Sequence, residues 1–174
     1  MPFTPYHFGP GLLFKGIVPK HFSWTAFVVA QIVIDAEVLY FIVRQQYPLH
    51  QTFHTLIGAS IAGIIAAFMI ISLYWLVTRT AANSPLRSNR FWTSICTEFS
   101  STSGVLIGSI SGGITHLLFD SLIYPDVKPF WPFSEANPFL GFVNSNTLVT
   151  SMMVAGLIGA ILVCLWLYSE IRSG

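Results

Sequence analysis

Residues Ser103–Tyr124, SGVLIGSISGGITHLLFDSLIY, decide the fold. The run is apolar over the length a helix needs to cross a hydrocarbon core, about 20 residues, yet it carries an imidazole and a carboxylate. His116 and Asp120 stand at i and i+4, so on a helix they share one face. A carboxylate at the centre of a spanning helix costs about 2.5 to 3.5 kcal/mol on an insertion scale. The segment reads as a membrane span whose polar face needs a partner inside a bundle.

Three further stretches are long enough to cross: Trp24–Val43, Thr55–Val77 and Leu148–Tyr168. The 174 residues are 53% hydrophobic and only 9% charged, with a mean hydropathy of +0.68, too apolar for a domain that must keep a wet surface. The expectation is an all-α polytopic membrane bundle, one integral membrane domain over residues 1–174, with four transmembrane helices. Phe8–Val18 is too short to span and is interrupted by Gly9, Pro10, Gly11 and Gly16, so it reads as a short half-inserted helix. The second and fourth spans lack acids and carry small residues, Gly58, Ala62 and Ala66, then Ala155 and Gly159, which let neighbouring backbones approach.

Met1–Lys20 lacks the ordered regions of a signal peptide, and none is expected to be cleaved. Cys96 and Cys164 lie in different segments and make no disulfide framework. A formal net charge of +1, without a concentrated basic face, argues against a nucleic-acid partner. With both termini cytoplasmic, Lys15, Lys20, Arg79, Arg87, Arg90 and Arg172 fall inside, and Arg44 and Lys128 outside. Positive charge gathers on the cytoplasmic side, which favours that topology. It also puts His7 on the face away from the other candidate histidines unless its helix dips inward. Between the second and third spans, residues 79–102 read as a polar loop with a short amphipathic helix near Phe91–Phe99. Pro125–Asn146, rich in proline and aromatic rings, is expected at the headgroup level.

The convergent polar chemistry is confined to a few residues. His50 and His54 repeat the i, i+4 spacing where the second span begins. Asp35 and Glu37 lie about 200° apart round a helix, so Asp35 is read as a ligand and Glu37 as a supporting partner, a general base, or a bridging carboxylate after a kink. Taken singly each pair has a plain reading: a packing hydrogen bond for His116 and Asp120, interfacial rings for His50 and His54, a terminal residue for His7. Asp126, Glu98 and Glu135 read as solvated loop charges. The conjunction points elsewhere, because separate segments each present acid or imidazole in a region otherwise nearly bare of charge. A divalent metal suits that donor set.

The run GGITHLLFDSLIYPDVKPFWPF, Gly112–Phe133, resembles the Ser/Thr-His-x-x-x-Asp motif with a following Trp-Pro in the bacterial inner-membrane metal-dependent hydrolases, the group described as LexA-binding. IDAE at Ile34–Glu37 is similar to that family's Asp-x-Asp, HQTFHT at His50–Thr55 to its His-Arg-x-x-Thr-His-Ser, and TPYHFGPG to its N-terminal motif with one His. The motifs occur in the same order from His7 to Phe133. Glu37 and Gln51 stand where the family has Asp and Arg, and the histidine pair is one residue closer. The resemblance implies a helical hydrolase of the inner (cytoplasmic) membrane that uses a divalent metal.

The function expected is metal-dependent hydrolysis of an ester, foremost a lipid phosphoester, by a metal-activated water. His7, Asp35, His50, His54, His116 and Asp120 are the candidate ligands of zinc, as one ion or two, and Glu37 is the candidate base. Membrane lipid and a lipid-like or membrane-associated substrate are the expected partners, with Lys128–Phe133 lining an entrance. A metal or proton carrier and a non-catalytic membrane adaptor are the alternatives.

Overall fold

The computed structural model describes residues 5–80, 99 and 101–173. Their helices are α1 (Phe8–Ile17), entered through a 3-10 turn at Pro5–His7, α2 (Trp24–Arg44), α3 (Leu56–Thr80), α4 (Thr102–Ile123) and α5 (Ser145–Ser173). No strand occurs among the described residues. The four longer helices are each long and apolar enough to cross a membrane, as the sequence led one to expect. The amphipathic helix expected at 91–99 lies, Phe99 apart, outside the described residues, as do Cys96, Glu98, Arg87 and Arg90.

Local chemistry sets the helix ends. Ser23 and Ser101 cap α2 and α4, each hydroxyl accepting the amide of the third residue on, Ala26 and Gly104, and Thr55 does the same for Gly58 at the start of α3. Such caps satisfy amides that the helix itself leaves open. α2 stops at Gln45, whose backbone is left-handed (φ 53°) and whose amide turns back to the carbonyls of the last turn.

α2, α3 and α4 form the core through bare backbone contacts. A Cβ on Gly108 would stand 2.2 Å from the Ser23 carbonyl, one on Gly112 2.4 Å from that of Phe27, and one on Gly113 2.3 Å from that of Ala59. Small residues there let α4 run beside both neighbours at a distance no side chain would permit. Ile34, Ala59, Ala62, Leu117 and Val127 fill the end of this trio nearest the histidines, and Ala26, Ala67, Ile70 and Val105 the other end. Outward faces are apolar and open, Phe68 being 72% exposed, as befits surface facing lipid.

α1 brings His7 to the same end of the bundle as the other candidate histidines. Its residues pair with α5 in parallel, Gly9 against Met152 and Gly156, Gly16 against Gly159 and Leu162, and Lys20 meets Glu170 at 3.2 Å. His7 therefore lies towards the start of α5, away from Arg172. Ten residues of helix rise about 15 Å, half a bilayer core. α1 thus reaches only from the far end of the bundle to the level of His7, which removes the conflict over that residue.

Candidate metal centre

α2 and α4 run parallel, so Asp35 on the first meets His116 and Asp120 on the second. His116 Nε2 is 3.4 Å from Asp35 Oδ1 and 3.2 Å from Asp120 Oδ2. The connector between α2 and α3 then brings two more rings to the same carboxylate: His54 Nε2 is 3.3 Å from Asp120 Oδ2, and His50 Nε2 3.9 Å. His7, at the start of α1, places Nε2 3.7 Å from Asp120 Oδ1 and Nδ1 3.3 Å from His116 Nδ1. All six side chains proposed as ligands from sequence converge, and all six are buried.

Glu37 stands apart from this centre. α2 is unbroken through Asp35 and Glu37, so no kink swings the second acid round to join the first. Instead the connector curls back to meet it. Glu37 accepts the amides of Phe53 (3.0 Å) and Gln51 (3.4 Å) and faces His54 Nδ1 at 3.3 Å. Of the roles open to it in the sequence, this position behind His54 suits support, and the role of general base has no contact in its favour.

Asp126 corrects the reading of a solvated loop charge. Its Oδ1 is 2.9 Å from His50 Nδ1, and its Oδ2 accepts the amides of Leu49 and His50 at 3.2 and 3.3 Å. The adjacent Tyr124 ring stacks on His50 with centroids 4.6 Å apart. Gln31 donates to the His7 carbonyl at 3.2 Å and so fixes the start of α1. Sequence held one signal for Asp126: Pro125 follows the last turn of α4 and folds the next residue back over the bundle.

The loop beyond it closes the same end. The Pro129 carbonyl accepts the Leu56 amide at 2.8 Å, seating the loop on the start of α3, while Lys128 pairs with Glu135 at 2.9 Å. Phe133 and Phe142 stay 87% and 74% exposed, and Tyr47 on the neighbouring connector 82%. Exposed rings at this level suit a headgroup region.

Electrostatics separate the two connector histidines. Burial and the neighbouring His54 push the His50 imidazole down against the pull of Asp126. Burial also disfavours a charged His54, but the facing carboxylates of Asp120 and Glu37 outweigh it and raise its pKa. Burial would raise the Asp126 carboxyl, yet its bond to His50 prevails and holds it below the usual range.

The cluster holds polar atoms that the protein leaves open. His54 Nε2, His116 Nε2 and Asp120 Oδ1 are buried with no hydrogen-bond partner among the described residues. The two Nε2 atoms lie 3.3 and 3.2 Å from Asp120 Oδ2. Buried polar atoms are rarely left so, and a divalent cation takes this mixture of imidazole nitrogen and carboxylate oxygen. Three overlapping sets could hold an ion: His7, His116 and Asp120; Asp35, His54 and His116; His50, His54 and Asp120. Within each set the donor atoms lie within 4.8 Å of one another. His54, His116 and Asp120 each serve two sets, which makes them the centre of the cluster.

No curated protein and no solved structure matches this chain. A family model described as a domain of unknown function, DUF4184, matches residues 1–173, and the chain belongs to that family.

Proposed function

We propose that the protein is a membrane-embedded hydrolase of the inner membrane that uses a divalent metal, zinc foremost, to cleave a phosphoester of a lipid. The observation that carries the reading is the pair of open Nε2 atoms facing one buried carboxylate. His50, His54, His116, Asp120 and Asp35 would hold the metal, with His7 against them. When bound, such a metal lowers the pKa of water towards neutrality and offsets the charge that develops on a phosphoryl oxygen.

The chain's own residues supply the rest. Burial excludes bulk water from the cluster, which strengthens each charge interaction within it. Asp126 and the open edge around His50 lie nearest the outside, since the Asp126 side chain is 31% exposed against 5% for Asp120. A headgroup would approach there, beside the exposed rings of Tyr47 and Phe133. Lys15, Lys20, Arg79 and Arg172 lie at the opposite end. By the rule that positive charge stays cytoplasmic, the cluster opens to the non-cytoplasmic leaflet.

Elemental analysis of the protein purified in detergent tests the metal. Bound zinc is expected in wild type and its loss in His116→Ala; equal metal in both would remove the proposal. Turnover of a phospholipid analogue is expected to stop with a chelator and to return with zinc, and turnover that survives chelation would contradict the hydrolase reading.

A further inference from the structure

Each of the three histidines most central to the cluster has a second partner on its far nitrogen. Asp126 takes Nδ1 of His50, Glu37 faces Nδ1 of His54, and His7 takes Nδ1 of His116. These partners come from three different places: the loop after α4, the middle of α2, and the turn before α1. Their effect is the same, since all three rings are left with Nε2 turned towards Asp120 Oδ2, at 3.9, 3.3 and 3.2 Å.

A neutral imidazole carries one N–H, and an ionised carboxylate only accepts. In the neutral ring that a metal requires, Nδ1 of His50 and of His54 therefore donates to Asp126 and Glu37, which leaves the Nε2 lone pairs for the ion. The contact between His7 and His116 has one arrangement consistent with this pattern. His116 Nδ1 donates to His7 Nδ1, and His7 then carries its own proton on Nε2, the atom facing Asp120 Oδ1 at 3.7 Å.

We infer that His7, Glu37 and Asp126 form an outer ring of positioning residues, and that the inner donors are the Nε2 atoms of His50, His54 and His116 with Asp120 and Asp35. The assignment rests on the metal reading above and deepens it in two respects. It makes the centre mononuclear, because with His7 used as a support the two remaining sets, Asp35 with His54 and His116 and His50 with His54 and Asp120, both need His54, whose single Nε2 lone pair binds one ion. It also gives the half-length α1 a purpose: the helix ends where its first ring can orient His116, and Gln31 on α2 fixes that end by donating to the His7 carbonyl. Asp126 has a double grip, holding both the His50 ring and the backbone amides of Leu49 and His50.

The test is zinc titration of the apoprotein in detergent, followed by cobalt(II) substitution. Wild type is expected to take one ion. His7→Ala, Glu37→Ala and Asp126→Ala should each keep that stoichiometry and the cobalt visible bands while binding about 10- to 100-fold more weakly, the usual effect of losing a partner behind a ligand. His116→Ala should lose the bands. Because Asp126 acts through His50, Asp126→Ala should add no further loss of affinity in a His50→Ala background, whereas a general structural defect would add its full effect there. Asp126→Asn, which leaves one carbonyl oxygen for three donors, serves where the alanine variant aggregates.

Two ions in wild type, with one lost in His7→Ala, would overturn the outer ring and make His7 a ligand. Unchanged affinity in all three supporting variants, with metal still lost in His116→Ala, would also overturn it while leaving the metal reading intact. A wild-type protein that binds no zinc or cobalt would instead remove the metal reading itself.

Discussion

The two ends of the bundle treat their polar groups in opposite ways. At the end carrying Lys15, Lys20, Arg79 and Arg172, each cation finds a local partner. Lys15 donates to the Pro19 and Phe22 carbonyls, Lys20 pairs with Glu170, and Arg79 and Arg172 lie over Trp75 and Tyr168. At the other end four imidazoles crowd round Asp120, and the cluster still leaves buried atoms open among the described residues. The first arrangement is complete as it stands. The second leaves buried imidazole and carboxylate atoms that could hold a cation, and burying ionisable groups without a partner is costly.

The sharpest way to break the contrast is Asp120→Ala. This residue touches four imidazoles, so zinc affinity should fall by more than about 100-fold, as expected when a buried charge partner is removed. Lys20→Ala, at the other end, should leave zinc binding unchanged. Equal effects in a titration of both variants would show that the ends do not differ as described.

The next largest effect concerns the scaffold shared by both ends. Gly113→Val places atoms against the Ala59 carbonyl, 2.3 Å from the new Cβ, and should cost about 3 kcal/mol or more of stability in detergent. Loss of metal should follow from the loss of the helix contact. A thermal-unfolding curve matching wild type would show that α3 and α4 do not approach so closely.

A smaller effect sharpens the chemistry of the cluster. His54 has a raised pKa, so below that value the apoprotein holds a proton where an ion would bind. Metal binding should release it, and affinity should fall as pH falls, because binding requires the neutral ring. Above the raised pKa the proton is already gone and the dependence on His54 should flatten. Proton release measured with an indicator in weak buffer checks this, and no release near neutrality would count against His54 as a ligand.

Smallest of all, the Lys20 and Glu170 side chains are 69% and 48% exposed. Lys20→Ala should change stability by less than about 1 kcal/mol, within the scatter of repeated melts. A larger loss would mean that the far end depends on its ion pair more than exposure allows.

How far the centre was legible follows the distance along the chain. His116 and Asp120 share a helical turn, and their common face could be read from spacing alone. Asp35 and Glu37 could be separated by the same periodicity, but the partner awaiting Glu37 could not be known, since it belongs to a connector with no repeat of its own. Asp126 was passed over for the same reason. A proline-rich loop gives no period from which to infer direction, and a charge outside a span looks solvated until the fold turns it inward. The placement of His7 beside His116 was hidden because counting charges assigns sides to loops and says nothing of a helix that stops halfway.

The sequence by itself determined the membrane character, the four spans, the half-length first helix and the side chains that gather at one centre. Hydropathy and helical period are local properties, and they survive without knowledge of neighbours. Tertiary structure alone decided which atoms of those side chains face inward and what stands behind them. His7 meets His116 from 109 residues away, and Asp126 meets His50 from 76. Contacts of that range depend on how closely α4 can approach α2 and α3, and that approach is set by the bare glycine surfaces along α4.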